Sequence, residues 1–520
     1  MKKKMYLSVL FLTKQLFVIS VLFAQPKDNR FQRTIALLDL TSKNKETSSA
    51  EMISAKYILS TSGIPFISTT NLTTACKYGV ILASSRFDIK TFSGAERDSL
   101  IEYVDSGGIL IATSVKDSYF YPLFGISQIN SSNKHHFISF NMSLNDPSFK
   151  YLNDPMEQSI SLGDTASVTT INTYNYNTST ATPLAFYDDK TTAITKQSYG
   201  KGMSYALGFS FKALILTNQI NRDIQANRIG SNGFEPTSDA VMLFVKAIYE
   251  AHIKNAVTIH TSPFDTYSTL VVTHDIDASS AYDTMHYYSE YEYSIGLRAS
   301  YFFTTHYFDD GLMSDYYNAS NIEKIKEVIK HQHIAGSHSV GHFPDFANSN
   351  VFPMGLLGNT NINYHPYNSG KGATVGGSVL GETEVSKKLL EEDLSISIKS
   401  FRAGHLCFNE KLINSLDTLG YSNNSTFCAA DVLTNFPYQQ PKDQSVASPL
   451  SHIWEFPITI SDVFHGDPIT AKNYKKKVDI WLDVIRRNTL NYAPSVLLIH
   501  PTRLYKLNAE QDLIKSLSPT

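Results

Sequence analysis

The chain has 520 residues, of which 42% are hydrophobic and 18% are charged, and this composition excludes an intrinsically disordered protein. A single hydrophobic core rarely extends over such a length, so we expect two or three domains. The formal net charge of only −3 argues against nucleic acid as the main partner.

The first segment of the chain has the pattern of an export signal. Lysines at residues 2–4 form a positive start, and residues 16–24 form a short apolar stretch with a cleavage position after Ala24. This stretch is far shorter than the ~20 residues of a membrane-spanning helix, and no later apolar run reaches that length. We therefore predict a signal peptide at residues 1–24 and an exported protein, periplasmic or extracellular, without a membrane span.

The region 34–255 is predicted to form an α/β domain. A capping box at Ser93 and Glu96 begins a helix, and short connections join this helix to strands on either side, as in a parallel sheet. The composition of residues 126–200, rich in Asn, Ser, Thr and Tyr, predicts a β-rich elaboration. Three apolar runs predict buried parallel strands: residues 34–40, 78–83 and 109–112.

The end of this first domain carries a resemblance to a known fold. Residues 199–208 resemble the late strand of glutamine-amidotransferase-like domains, in which a cysteine nucleophile follows a strand like the one at 109–112. Residues 113–115 read Thr-Ser-Val at that position, so the resemblance implies a non-catalytic domain. A flavodoxin-like scaffold without a ligand is the alternative.

The cysteines are few. Cys76, Cys407 and Cys428 are too few for a disulfide scaffold, and no Cys-x-x-Cys pattern predicts a thiolate zinc site. Cys407 and Cys428 lie in one predicted domain. They either pair in an oxidising compartment or remain two buried thiols.

From residue 268 to about 515, predicted strands alternate with predicted helices. This order indicates a parallel barrel or an open sheet with its functional residues at the carboxyl ends of the strands. The long Gly- and Asn-rich segment 348–381 contains Tyr364, and we expect it to cover one side of a site.

Two carboxylates and two histidines at such strand ends predict a metal site. Asp275 and Asp277 follow an apolar run, and His338 and His342 lie on one face if their segment is a helical turn. Imidazole and carboxylate together suit zinc or a similar divalent ion. Three protein ligands would leave a coordination position open for water, which is typical of a catalytic site.

Four short segments carry this chemistry in order: THDID at 273–277, HSVGH at 338–342, RAGH at 402–405 and LIH at 498–500. They resemble the motifs of polysaccharide deacetylases of the NodB-homology type, carbohydrate esterase family four, over residues 268–515. The resemblance implies a deformed (β/α) barrel. It also implies an enzyme that uses a divalent metal ion to hydrolyse N-acetyl or O-acetyl groups on sugars. The expected metal is zinc, with cobalt, manganese or nickel as alternatives.

The resemblance implies a role for each motif residue. Asp275 would take a proton from the attacking water, and His500 would protonate the leaving amine. Arg402 would pair with Asp275 and keep it ionised. The implied metal ligands are Asp277, His338 and His342. The predicted substrate-binding residues are His405, Tyr364 and Trp454, with core packing as the alternative for Trp454.

The sequence departs from the family pattern at two places. Gly404 and His405 stand where the family has Pro and Tyr, and the Tyr backbone N–H serves the oxyanion there. Asn424 stands where the family commonly has an aspartate that orients the acidic histidine. That charge would then come from one of three other residues: Asp431, Glu455 or Asp462.

Three functions remain open at this point. The leading hypothesis is an exported, metal-dependent deacetylase that acts on an acetylated amino-sugar polymer or oligosaccharide. A second is hydrolysis of a non-sugar C–N bond, as in the cyclic-amide branch that shares the Asp-x-Asp form. A third is a catalytically inactive carbohydrate-binding protein. The oligomeric state does not follow from the sequence.

Overall fold

A computed structural model describes residues 33–43, 48–84, 87–88, 90–163, 171–220, 230–264, 266–370 and 372–518. The predicted signal peptide lies outside these residues. Across the described ranges, the helices all lack the combination of length and apolar character that a membrane crossing requires. The chain is an α/β protein built on two large sheets, one from each half.

The first half contributes one sheet and seven α-helices among the described residues. Its strands are β1 (Ile35–Leu38), β2 (Phe66–Thr69), β3 (Val80–Ala83), β4 (Ile109–Thr113), β5 (Ile126–Ser132), β6 (Phe137–Phe140), β7 (Ser159–Ser161), β8 (Thr173–Thr178), β9 (Thr182–Tyr187), β10 (Thr192–Tyr199) and β11 (Gly202–Leu207). Its helices are α1 (Ser48–Thr61), α2 (Leu72–Ala75), α3 (Gly94–Asp105), α4 (Tyr121–Phe124), α5 (Phe211–Leu214), α6 (Leu216–Gln219) and α7 (Thr237–His252).

The first sheet is mixed. Strands β2, β1, β3, β4 and β11 are parallel neighbours, and antiparallel strands β10, β9, β6 and β7 extend them. Strand β8 also pairs with β10, and β5 pairs with β8. The parallel part contains the three predicted strands, and the antiparallel part is the β-rich elaboration predicted at residues 126–200. The capping box of Ser93 and Glu96 is present at the start of α3. The amidotransferase-like resemblance and the domain limits at residues 34 and 255 stay predictions.

The second half contributes nine strands and seven α-helices among the described residues. Its strands are β12 (Leu270–Ile276), β13 (Ser300–Phe303), β14 (Ile334–Ser337), β15 (Ser400–Phe401), β16 (Asn423–Asn424), β17 (Tyr438–Pro441), β18 (Leu450–Glu455), β19 (Ile460–Ser461) and β20 (Ser495–Ile499). Its helices are α8 (Ser279–Ser294), α9 (Ala319–Lys330), α10 (Val379–Leu394), α11 (Leu412–Thr418), α12 (Ala429–Val432), α13 (Tyr474–Leu490) and α14 (Leu504–Leu517).

The second sheet is a curled half-barrel. Its strand order is β17-β18-β16-β15-β14-β13-β12-β20-β19, and every strand except β17 is parallel to its neighbours. The parallel direction brings the carboxyl ends of eight strands to one edge. A large apolar cluster packs the strands against the helices, and its members include Tyr301 and Phe303 of β13, Tyr282 of α8 and Trp481 of α13. Burial of each such side chain stabilises the fold by roughly 1.5–3 kcal/mol.

The two halves share a core. The apolar cluster of the first sheet, which includes Val241 and Phe244 of α7, also contains Phe436 and Ala493 of the second half. Helix α7 lies at this junction, and the carboxylate of Asp239 on α7 is fully buried there.

The cysteines are all free thiols. The sulfhydryl of Cys407 donates a hydrogen bond to the carbonyl of Pro344 at 3.3 Å, and Cys428 is buried at the start of α12. Of the two alternatives for Cys407 and Cys428, the structure therefore has separate thiols, not a disulfide.

Candidate active site

Strand β12 presents its alternate residues to opposite sides of the sheet. Thr273 and Asp275 both contact Arg402, whereas the intervening His274 contacts Glu292 of the outer helix α8 at 2.7 Å. Asp277 lies just beyond the end of β12. The Asp-x-Asp spacing therefore places both carboxylates at the carboxyl edge of the half-barrel, with His274 outside the site.

Arg402 holds Asp275 inside the half-barrel. Its Nη1 donates to Asp275 Oδ1 at 2.7 Å and to Thr273 Oγ1 at 3.0 Å. Its Nε and Nη2 donate to the carbonyl oxygen and hydroxyl of Ser425 at 2.7 and 2.8 Å, and its guanidinium lies 4.4 Å from the ring centroid of Phe302. Burial alone would raise the pKa of Asp275, but the charge of Arg402, with smaller contributions from two histidines, outweighs it and leaves this pKa below the usual range. Asp275 is therefore ionised at neutral pH.

His338 and His342 meet in a loop after β14. The segment is not the helical turn on which a shared face was made conditional, because Ser339 and His342 adopt left-handed conformations with φ of 68° and 53°. The two rings nevertheless lie 5.0 Å apart. His338 Nδ1 lies 2.8 Å from the carbonyl oxygen of Arg402, which requires a proton on Nδ1 and leaves Nε2 with its lone pair free.

Glu382 of α10 stabilises the loop that carries these two histidines. Its Oε2 accepts hydrogen bonds from the backbone N–H groups of Val340 and Gly341 at 2.9 and 2.8 Å. Its Oε1 accepts a hydrogen bond from the hydroxyl of Tyr364 at 2.8 Å. Sequence reasoning missed Glu382, because an acid in the first turn of a helix is an ordinary partner of the helix dipole.

The residues present fit a divalent metal ion. Donor atoms of Asp277, His338 and His342 all lie within 4.8 Å of one another, and Asp277 Oδ2 is 3.6 Å from His342 Nε2, too far for a hydrogen bond. In the described part of the chain His338 Nε2 is buried without a hydrogen-bond partner. Burial, followed by the neighbouring histidines, lowers the pKa of His342 well below its usual value, so its ring is neutral, as a metal ligand requires. Two imidazoles and one carboxylate suit zinc or a similar ion.

His500 follows β20 and is held by Asp462. Its Nδ1 lies 2.8 Å from Asp462 Oδ1, while Asp462 Oδ2 accepts the backbone N–H of His500 at 3.0 Å and Lys506 Nζ at 2.6 Å. The other ring nitrogen, Nε2, is 3.7 Å from Asp277 Oδ2. Burial alone would lower the pKa of His500, but the carboxylates of Asp462 and Asp277 raise it to about 9. His500 therefore carries a proton at neutral pH.

Asp462 is the one of the three suggested acids that orients His500. Asp431 instead accepts the backbone N–H of Cys428, and Glu455 accepts the backbone N–H groups of Thr426 and Phe427. In the structure Asp462 directly follows β19, a two-residue strand that was not predicted from the sequence.

Only one of the three predicted substrate-binding residues lies beside the predicted metal ligands. The ring of His405 is 4.1 Å from that of His342, and its backbone N–H lies 3.4 Å from His342 Nε2. Tyr364 is buried against Glu382 and supports the histidine loop. Trp454 is 43% exposed and faces away from the interior, because its neighbour Glu455 on β18 is fully buried.

Comparison with known proteins yields structural likeness alone. No protein-family model and no curated protein matches the chain. The carbohydrate deacetylase Agd3 matches over 91% of this chain and 79% of its own, with 10% identity and a TM-score of 0.34. A protein of Mycobacterium smegmatis, provisionally described as a polysaccharide deacetylase, matches over 49% of this chain and 85% of its own, with 15% identity and a TM-score of 0.32.

A third matching structure is a pseudoenzyme of the CE4 family from Bacillus anthracis. It matches over 49% of this chain and 61% of its own, with 11% identity and a TM-score of 0.27. All three matches combine low sequence identity with TM-scores below 0.5.

Proposed function

We propose that the chain is an exported, metal-dependent hydrolase that removes N-acetyl or O-acetyl groups from an amino-sugar polymer or oligosaccharide. One observation carries the proposal. At one edge of the half-barrel, a three-residue donor set lies between a carboxylate held ionised by Arg402 and an imidazole held protonated by Asp462. A base and an acid with opposite charge states on either side of a metal site are what acyl-group hydrolysis needs.

Each group has one part in the proposed reaction. A zinc ion held by Asp277, His338 and His342, or cobalt, manganese or nickel in its place, would acidify a water molecule and polarise the acetyl carbonyl. Asp275 accepts the proton of the attacking water at Oδ2, since Oδ1 is engaged by Arg402.

His500 completes the reaction at the leaving group. The water oxygen bonds to the acyl carbon, the bond from that carbon to the sugar nitrogen or oxygen breaks, and His500 Nε2 donates its proton to the departing atom. An amine leaves poorly without that proton, so His500 matters most for N-acetyl groups. The products are acetate and the free amine or hydroxyl.

The test of this proposal is acetate release by purified, metal-loaded protein from acetylated chitooligosaccharides and peptidoglycan fragments. We expect Asp275→Asn to lower kcat by about 10²–10⁴-fold, the range for general base catalysis, with unchanged metal content. Asp277→Asn is the matched variant, and we expect it to lose the metal itself. Acetate release by Asp275→Asn at the wild-type rate would contradict the role of the base.

The same measurements separate the two other candidate functions. Hydrolysis of cyclic amides without acetate release from any glycan would assign the chain to C–N bonds outside sugars. A chain that binds no metal and releases no acetate, yet binds the glycan, would be a carbohydrate-binding protein.

A further inference from the structure

We infer that Asn232, a residue of the first half of the chain, is a positioning residue for His500. The inference rests on the proposed function, because it concerns the acid of that reaction. It connects the first half, which contributes no metal ligand among the described residues, to the chemistry of the second half.

Strand β19 is where this connection is made. It consists of only Ile460 and Ser461, it lies at the end of the second sheet, and its sheet neighbour is β20. Asp462, the partner of His500, is the next residue along the chain. A two-residue edge strand has few ladder hydrogen bonds. On the side of β20, the backbone N–H of Asp462 donates to the carbonyl of Leu498 at 3.0 Å, so contacts on the open side of β19 complete the support of Asp462.

Asn232 covers that open side. Its backbone N–H donates to the carbonyl oxygen of Thr459 at 2.9 Å, and its Oδ1 accepts the backbone N–H of Ser461 at 2.8 Å. Its Nδ2 donates to the carbonyl oxygen of Val463 at 2.9 Å. The side chain of one asparagine therefore holds the residues immediately before and after Asp462.

Asn232 is itself fixed to the barrel. Its Oδ1 also accepts a hydrogen bond at 2.9 Å from the indole N–H of Trp481, a fully buried residue of α13. The hydroxyl of Ser231 lies 2.8 Å from that of Ser461. Asn232 has a φ of 68°, a left-handed conformation that asparagine adopts more readily than most residues. Asn232 and Ser231 therefore connect the first half of the chain to the second through several hydrogen bonds.

The consequence for His500 follows from these contacts. When Asn232 is truncated, the backbone N–H of Ser461 loses its partner and the carbonyl of Val463 keeps only the hydroxyl of Ser461, at 3.3 Å. The backbone N–H of Asp462 still donates to the carbonyl of Leu498 at 3.0 Å, but the backbone on either side of Asp462 is held less firmly. Lys506 still holds Asp462 Oδ2, so the carboxylate is not lost but its alignment with His500 Nδ1 relaxes. A misplacement of about 1 Å can cost on the order of 10²-fold in rate.

The variant that tests this is Asn232→Gly, because glycine adopts the left-handed backbone without strain while removing the side chain. Two substrates are compared: an N-acetyl glycan, whose amine needs a proton to leave, and 4-nitrophenyl acetate, whose phenolate leaves without one. We expect kcat on the glycan to fall about 10- to 100-fold with KM nearly unchanged, as for a misaligned acid. Activity on the aryl ester should stay near that of the wild type.

Asn435→Ala is the matched control. Asn435 is fully buried at the same junction of the halves, where its Nδ2 donates to Asp239 and to the carbonyl of Glu235, each at 2.9 Å. None of its hydrogen bonds reaches β19. We expect this variant to be less stable but to keep the wild-type ratio of the two activities. Equal losses on both substrates in Asn232→Gly, or the same change of ratio in Asn435→Ala, would overturn the inference.

A second measurement does not need turnover. A proton on His500 Nδ1 that is hydrogen-bonded to Asp462 gives a low-field resonance in the NMR spectrum of protein labelled with ¹⁵N-histidine, assigned by its loss in His500→Gln. We expect this resonance in the wild type and in Asn435→Ala, and its loss or clear displacement in Asn232→Gly. An unchanged resonance in Asn232→Gly would refute the positioning role. A wild type that releases no acetate, but whose resonance depends on Asn232, would refute the proposed function and leave the positioning role standing.

Discussion

The buried carboxylates of the half-barrel differ in charge state because their partners differ. Asp275 is paired with the guanidinium of Arg402, and its pKa stays below the usual range despite complete burial. Glu382 and Glu455 are equally buried but accept hydrogen bonds mainly from neutral donors, and burial raises the pKa of each to about 7. A cation at hydrogen-bond distance, rather than depth in the protein, therefore decides which acid can serve as a base near neutral pH.

Glu382 should control metal affinity without touching the metal. Glu382→Ala leaves the backbone N–H groups of Val340 and Gly341 unpaired, which loosens the loop that carries His338 and His342. We expect zinc affinity to fall by about 10- to 100-fold, the range for residues that orient metal ligands. Competition with a chelating dye measures this.

Tyr364→Phe is the control for that experiment, since it removes only the hydroxyl that donates to Glu382 Oε1 and leaves the bonds to the loop intact. We expect a smaller loss of zinc affinity. Equal affinity of Glu382→Ala and the wild type would show that the loop holds its shape without this support.

The site residues that could be predicted from the sequence lie at or just beyond the carboxyl end of a strand. Asp275, Asp277, His338, Arg402 and His500 come directly or nearly so after apolar runs, and parallel strands bring such positions to one edge. The supporting residues could not be predicted in this way, because their partners are distant in the chain. Their local sequence indicates other roles: a helix start for Glu382 and a polar loop for the segment around Asn232.

The limits of some elements of the half-barrel depend on where the chain leaves the sheet. Strand β15 has only two residues, Ser400 and Phe401, and the chain adopts left-handed conformations soon afterwards, at His405 and Leu406. Propensity alone does not indicate where a buried strand leaves its sheet. In the same way, an i, i+4 spacing is compatible with a helical turn at 338–342 and does not reveal the two positive φ angles there.

Helix α3 offers a test of local stability away from the site. Ser93→Ala removes the side chain that accepts the N–H of Glu96, and the reciprocal bond from Ser93 N–H to Glu96 then lacks its counterpart. We expect the free energy of unfolding to fall by about 1 kcal/mol, the typical cost of losing an N-cap. Urea unfolding at neutral pH measures it.

Ser99→Ala is the matched control on the same helix. The hydroxyl of Ser99 donates only to the carbonyl of Ala95 within the helix, at an exposed position. We expect a change within about 0.5 kcal/mol, as for most surface substitutions. A loss in Ser99→Ala as large as in Ser93→Ala would mean that the cap makes no specific contribution.

At the scale of the whole molecule, the junction of the halves should make stability depend on pH. Asp239 is fully buried, and its carboxylate accepts hydrogen bonds from Thr434 and Asn435 of the other half. Burial raises the pKa of Asp239 to about 7, above its value in the unfolded chain. The folded protein therefore keeps a proton on Asp239 that the unfolded chain releases at a pH of about 4.

The sign of the effect follows from this difference. The stability contributed by protonated Asp239 is fully present below pH about 4 and is lost as pH rises through about 7. The free energy of unfolding falls over this range by at most about 1.4 kcal/mol per pH unit. Asp239→Asn mimics the protonated form, so we expect its stability relative to the wild type to increase between pH 5 and pH 8. Denaturant unfolding at several pH values measures this, and a difference that does not vary with pH would contradict it.

Helix α7 has a consequence for where the chain can be divided. Thirteen consecutive residues from Thr237 to Tyr249 are buried, and apolar residues among them share one cluster with side chains of both halves. Neither half can present this surface to water without a large loss of stability. We therefore expect the connection between the two sheets, after Ile253, not to act as a hinge. We expect the two halves to unfold together. A recombination that exchanged either half alone would also have to replace the buried residues of α7 that pack against the other half.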